Sequence, residues 1–386
     1  MHTPSIDSTQ AVNRTTAWDL GRLIQPLRYT ERTKDDAAAN GVPKRGDRDI
    51  IDYVHRMRFV TAAQAQGRLP DLLRSLRTAQ RHLSRLAGCG HLAVAPVRGT
   101  SPNFPLAYYV TAAGIRFIHR TSEKDAARCS DDGEDVKERG LASQTILHEL
   151  LLTELDVCLY RTLAGRPDMV VLETERRYFR KDRTLTFSHQ GKPKQVIPDY
   201  GFVLRAAQLG GKAGYLLTLV ELDNGTSSLK RLRDKFRVYD LWGHSFEGQE
   251  YLRGLYRRLG ATDPRPQFRL LVVAHDKNRT IGDDQRLLDL FTLSLECSAD
   301  LRHRMWFGTV NGLHAHHMDS RPLESPLWFR TRDAEAWLPE LHAVAQAIPP
   351  DPGRKAHQRR RAFVAGKLKC TERRAFIVPA VSPQLP

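Results

Sequence analysis

Apolar positions recur at helical spacing near the start of the chain. Ile50, Ile51, Val54 and Met57 share one side of a helix predicted over residues 47–58. Thr61 stands where a hydroxyl would cap the orphan N–H groups of a short second helix, 62–68, which Pro70 ends. Asp71 is placed to cap a third helix running to about residue 87. Leu72, Leu76, Ala79, Leu83 and Leu86 make its apolar stripe, and Arg74, Arg77, Thr78, Arg81 and Arg85 fall on the opposite side. Gly88-Cys89-Gly90 stops this helix. Strands follow at 91–97 and 105–110 around a polar turn holding Arg98, and Thr111 caps a last helix, 112–119.

Helix, helix, helix, strand, turn, strand, helix is the order of a winged helix-turn-helix. In that fold the third helix lies in a DNA groove, where arginine reads phosphates and guanine edges. The turn at Arg98 would then reach the backbone or the minor groove. Tyr108 and Tyr109 are expected to be structural.

A different pattern begins after residue 140. Ile146, Leu147, Leu150, Leu151, Leu155 and Leu159 give an amphipathic helix over 144–163. Strands are expected at 170–179, 185–187, 194–204, 215–222, 268–274 and 305–310, with helices at 227–242 and 283–296. The run 215–222 is continuously apolar, as in the centre of a sheet. It ends in Glu221-Leu222-Asp223, and Asp199 follows Pro198 at another strand end. Glu221 and Asp223 are two apart, so they share a face of the strand. Carboxylates that converge in this way are tolerable around a hard cation such as Mg²⁺ or Mn²⁺, which would polarise a phosphate and activate water. Lys235 or Lys230 would stabilise the developing charge. The competing reading is turn and cap chemistry, to which Asp223-Asn224-Gly225-Thr226 is well suited.

Charge sharpens the picture. The 386 residues carry a net +16, and residues 44–120 hold 13 Lys and Arg against 4 Asp and Glu. Such an excess favours a polyanion, with counterion release as the driving force, and double-stranded DNA is the expected partner. The segments are a leader (1–43), the winged unit (44–120), an acidic linker (121–140), the α/β unit (141–348) and a basic tail (349–386) that would add sequence-independent affinity. No apolar run is long enough to span a bilayer and no secretory signal is seen, so the expected setting is the cytoplasm, at the nucleoid or a plasmid, with no membrane partner. The five cysteines are scattered and none has CxxC spacing, so neither disulfides nor a zinc site is expected. His314, His316 and His317 read as a solvated loop. There is no HExxH motif and no GxxxxGK[ST] loop, hence no nucleotide cofactor. Tyr239, Tyr251 and Tyr256 lack the histidine trio that a relaxase tyrosine would need.

RDIIDYVHRMRFVTAAQ, RSLRTAQRHLSRLAGCGHL and YYVTAAGIRFI in the first unit resemble the replication-relaxation family, as do ASQTILHELLLTELDV, VIPDYGFVL and VELDNGTSSLKRLRDKFRVYDLW in the second. The second block is also similar to the PD-(D/E)xK nucleases. That resemblance implies a mixed α/β (α+β) chain: a winged helix, then a nuclease-like α/β domain with a mixed central sheet. It also implies metal-binding roles for Asp199 and Glu221, with Asp223 standing where the motif has lysine and Lys235 as the relocated lysine. Glu175, Glu149 or Glu154 would supply an accessory carboxylate. Two functions remain open. One is a DNA-binding protein of a bacterial plasmid or mobile element, acting in replication, relaxation or mobilisation beside other such proteins, with an inactive nuclease-like domain. The other is a Mg²⁺-dependent endonuclease targeted by the winged helix. A transcriptional regulator is a third, weaker reading.

Overall fold

The structure is a computed structural model. It describes residues 46–95, 106–120, 143–164, 166, 168–175, 185–207, 213–225, 227–262, 266–275, 283–310, 313, 323, 326–346, 354–371 and 373–375. The leader, Arg98 and its turn, the acidic linker, Cys129 and the histidines at 314–317 lie outside the described residues.

The first unit contains α1 (Asp47–Met57), β1 (Val60–Thr61), α2 (Ala62–Arg68), α3 (Leu76–Gly88), β2 (Leu92–Ala95), β3 (Ala107–Val110) and α4 (Ala112–Arg120). The apolar spacing of α1 buries Ile50, Ile51, Val54 and Met57. Thr61 caps α2 in a reciprocal capping box with Gln64. The short strand β1 pairs with β3, giving the antiparallel order β1-β3-β2.

Two expectations for α3 need correction. Ser75, not Asp71, is its cap, accepting from the Thr78 N–H. The helix therefore starts at Leu76, and Leu72 and Leu73 belong to the preceding turn, where the Leu73 N–H donates to Leu69 O. The apolar stripe is thus Leu73, Ala79, Leu83 and Leu86, all fully buried, while Leu76 is 47% exposed.

The second unit is built on a seven-stranded mixed sheet, ordered β12-β11-β10-β9-β8-β7-β4. Its elements are α5 (Ser143–Leu163), β4 (Met169–Glu175), β5 (Leu185–His189), β6 (Lys192–Val196), β7 (Tyr200–Ala207), β8 (Ala213–Asp223), α6 (Leu229–His244), α7 (Phe246–Arg258), β9 (Phe268–Ala274), α8 (Asp283–Ser294), α9 (Ala299–Arg304), β10 (Met305–Thr309), β11 (Pro326–Arg330), a 3-10 helix (Thr331–Trp337), α10 (Leu338–Gln346), α11 (Arg354–Cys370) and β12 (Arg374–Ala375). The mixed α/β class expected from the sequence is what is found. β8 is central, paired antiparallel to β7 and parallel to β9. The strand expected over 194–204 is two strands, broken at Ile197-Pro198-Asp199, because proline has no N–H to continue a ladder. Its first half pairs with β5 in a separate hairpin.

Two apolar layers enclose the sheet. α5 covers the face carrying Tyr200, Phe202, Val220 and Leu222. The helices α6, α7 and α8 cover the face carrying Leu217, Leu219, Leu270 and Val272. Residues 354–370 of the basic segment form a helix packed on this second layer. Val364 is fully buried, Arg361 pairs with Asp289 at 2.8 Å and Lys367 with Glu340 at 2.7 Å. Several of its cations thus have folded-state partners.

The two units are fastened along α5. Ile146 and Leu150 pack with Phe59, Ala95 and Ala107. Arg58 pairs with Glu149 at 2.7 Å, Gln64 Nε2 donates to Leu150 O and to Glu154, and Arg68 pairs with Asp156 at 3.3 Å. Glu149 and Glu154 therefore face the first unit, which removes them as accessory carboxylates. Among the described residues no helix is long and apolar enough to cross a membrane, and Cys89, Cys158, Cys297 and Cys370 are free thiols.

Candidate functional site

The end of β8 gathers most of the carboxylates singled out in the sequence. Alternation along the strand sends Val220 and Leu222 to the α5 face and Glu221 and Asp223 to the opposite one. Asp199 enters from the segment before β7. Its N–H donates to Val220 O at 3.0 Å, and its Oδ2 accepts from the Leu222 N–H at 2.9 Å. Antiparallel pairing of Tyr200 with Val220 sets this approach.

Helix α6 completes the cluster. The spacing of Arg231, Lys235 and Tyr239 aligns them on one face. Lys235 Nζ and the Tyr239 hydroxyl each donate to Glu221, one to each carboxylate oxygen. From the other side of the sheet, His148 of α5 brings Nε2 to 3.5 Å from Asp199 Oδ2 and 3.3 Å from Leu222 O. Glu221 and Tyr239 are buried, whereas Asp199 keeps 23% and Lys235 36% of its side chain exposed. The cluster thus sits at the rim of the sheet.

One lysine sits between the two carboxylates. Burial, reinforced by the Asp199 carboxylate, pushes Glu221 up to about 8 despite Lys235 and Tyr239. Burial alone would also raise Asp199. The Lys235 ammonium, the His148 hydrogen bond and the Leu222 N–H outweigh it and hold Asp199 well below the ordinary carboxylate range. Burial would lower Lys235, but Glu221 and Asp199 hold it above its ordinary value.

The linkage has a sign. The raised Glu221 contributes stability that is complete below its ordinary value of 4.5 and is lost as pH rises through about 8. The depressed Asp199 contributes stability above its ordinary 3.8 that is lost as pH falls. Glu221→Gln is expected to flatten the alkaline decline and leave the acid limb in place, as read from urea midpoints between about pH 4 and 9. Parallel alkaline limbs in wild type and variant would refute the assignment of the proton to Glu221.

Asp223 has a different partner. Although it shares a strand face with Glu221, it makes a two-pronged pair with Arg286 of α8, which also donates to Ser227 O at 2.7 Å. Register sets Glu175 of β4 opposite Gly201 of β7, near Asp199 along the sheet, but its side chain lies outside the described residues. Lys230 is exposed on α6. Thus Asp199, Glu221 and Lys235 come together, while Asp223 pairs with Arg286.

The candidate DNA-reading residues also divide. Arg77 and Arg81 are exposed on α3, and Arg74 is exposed just before it. Thr78 is engaged in the helix start, its Oγ1 lying 2.9 Å from Ser75 Oγ. Arg85 turns back to the buried Asp47 and is held above its ordinary value by that hydrogen bond. It braces α3 against α1 and does not join the exposed row.

His148, Tyr239 and Arg286 were not assigned to these partners from the sequence. The spacing of residues 231, 235 and 239 was the only available signal. His148 and Arg286 meet partners 51 and 63 residues away, which no local pattern reveals.

A divalent ion would need carboxylate oxygens turned toward one shared position. Both Glu221 oxygens accept hydrogen bonds, and Asp223 is taken by Arg286. Among the described residues no three His, Cys, Asp or Glu side chains are grouped to hold a metal ion. As placed, Glu221 and Asp223 each face cations or donors of the protein rather than a shared ion position.

A family model described as Replication-relaxation matches residues 51–251, just over half of the chain, spanning α1 into α7. No curated protein and no solved structure matches.

Proposed function

The chain belongs to the replication-relaxation family, and from that premise we propose that it is a double-stranded-DNA-binding protein of a bacterial plasmid or mobile element, serving replication, relaxation or mobilisation. In this reading the first unit is a winged helix that docks through α3, and the second is a nuclease-like scaffold used for binding or partner contact. The observation that carries it is the exposed Arg77–Arg81 face of α3, backed by the packing of Ala79, Leu83 and Leu86 into the core. A helix anchored on one side and cationic on the other suits a DNA groove. Among the described residues, α2 and α5 join the units on other surfaces, and Arg77 and Arg81 remain exposed.

Fluorescence anisotropy of a labelled duplex with the full chain tests this. Affinity should fall linearly with log salt, with a slope of several phosphates at roughly 0.9 each. Absence of binding at low salt, or binding indifferent to salt, would sink the proposal.

The cluster of Asp199, Glu221 and Lys235 supports a second reading, metal-dependent endonuclease. It is the weaker one, because Lys235 and Tyr239 occupy both oxygens of Glu221. Supercoiled plasmid incubated with Mg²⁺ or Mn²⁺ separates the two. Persistence of supercoils is expected. Nicking that disappears in both Asp199→Ala and Glu221→Ala would establish the nuclease instead.

A further inference from the structure

We propose that the β5–β6 hairpin and the start of α7 form a contact surface for single-stranded DNA, distinct from the arginine face of α3.

The hairpin is tight. Gln190 and Gly191 both adopt positive φ, 53° and 70°, as a two-residue turn between twisted strands requires. Its register pairs Leu185 with Val196, Phe187 with Lys194 and His189 with Lys192. Directly opposed residues share a face, so Lys192, Lys194 and His189 lie on the same side as the buried Leu185, Phe187 and Val196. That side is the one packed against α6 and α7. Near the turn it runs past the core, and Lys192 and Lys194 are exposed. No carboxylate among the described residues pairs with either lysine.

α7 begins at the same place. Glu247 Oε1 accepts the Ser188 N–H at 3.1 Å, which brings the first turn of α7 to the outer half of the hairpin. Ser245 caps this turn through the Gly248 N–H. The residue between, Phe246, is 76% exposed, the most exposed large hydrophobic side chain among the described residues. Nothing in the packing of α7 calls for an aromatic there, since Leu252, Leu255 and Tyr256 supply its buried side. Of the nearby acids, Glu250 pairs with Arg253 at 2.6 Å, and Glu247, held by the Ser188 N–H, makes no ion pair with either lysine. The surface therefore combines two lysines, neither in an ion pair among the described residues, with an open aromatic ring.

This combination selects among polyanions. In a duplex each base has both π faces covered by its neighbours, so an exposed ring gains little from it. A single strand offers phosphates to lysine and unstacked bases to an aromatic, and such stacking is tolerant of sequence. The inference goes beyond the duplex reading and is tested on different residues.

The experiment measures binding of the full chain to a labelled oligo-dT of about 20 nucleotides and, in parallel, to a duplex. Phe246→Ala should weaken oligo-dT binding about tenfold, the order expected for one stacked base, and Phe246→Trp should restore it. Lys192→Ala with Lys194→Ala should reduce the salt slope for the single strand by about 1.4, at roughly 0.7 per phosphate. Duplex binding should hardly change in these variants, and Arg77→Ala with Arg81→Ala should leave oligo-dT binding intact. Failure of the wild type to bind oligo-dT, or an equal loss on both DNA forms in Phe246→Ala, would overturn the proposal while leaving the α3 reading standing. Light scattering guards against a self-association patch: a dimer converted to monomer by Phe246→Ala, with oligo-dT binding unchanged, would also overturn it.

Discussion

Replacing Arg77 and Arg81 together by alanine is expected to weaken duplex binding by about tenfold to a hundredfold for each arginine, roughly 1–3 kcal/mol apiece. Both side chains are exposed on α3, so truncation removes cations without opening the core. The salt slope should fall by about one for each phosphate that is no longer neutralised. A discrimination lost at one base position would mark an arginine that reads a base edge, and a uniform loss would mark one that holds phosphate. Arg85→Ala should behave differently. Its partner Asp47 is only 1% exposed, so the variant removes the arginine's charge-assisted bond to a buried carboxylate, leaving His82 at 3.5 Å, and should lose stability before it loses specificity. Unchanged affinity in the Arg77/Arg81 double variant, measured on a protein with wild-type unfolding, would remove α3 as the DNA-binding helix.

Arg286→Ala is expected to destabilise the second unit by about 3–5 kcal/mol, the cost typical of leaving one member of a buried ion pair behind. Both side chains are almost fully enclosed, Asp223 at 5% and Arg286 at 7% exposure. The same substitution releases Ser227 O, which helps place the start of α6 and hence Lys235. Replacing both partners with apolar residues, Asp223→Leu with Arg286→Met, should recover much of the loss, because no charge then remains buried. Urea midpoints at neutral pH measure all three proteins. A shift worth less than about 1 kcal/mol in Arg286→Ala would show that Asp223 finds another partner, and would return it to the candidate ligands around Glu221.

The elements of the first unit were legible because periodicity and capping are local. Ile50, Ile51, Val54 and Met57, or Thr61 with Gln64, act within a turn or two of chain. The start of α3 lies later than the spacing predicts for a related reason. Asp71 and Ser75 are both acceptable caps, and only the packing of Leu73 into the core chooses the second. In the second unit the buried strands stood out as apolar runs. The pairing of β5 and β6 as a separate hairpin, α7 and α11 did not. The hairpin was hidden because alternation continues across Pro198, and α11 because its arginines mask the Phe363–Val364–Leu368 side that packs inward.

By itself the sequence determined the mixed α/β class, the family, the cationic balance, and the placing of Asp199, Glu221 and Asp223 at strand ends. These follow from residue type, spacing and alternation, which act along the chain. Only the tertiary structure decided which carboxylate meets which cation: Glu221 with Lys235 and Tyr239, Asp223 with Arg286, Asp199 with His148, and Glu149 with Arg58. Two side chains on one strand face can meet different helices, and the identity of those helices is set by how layers stack on the sheet.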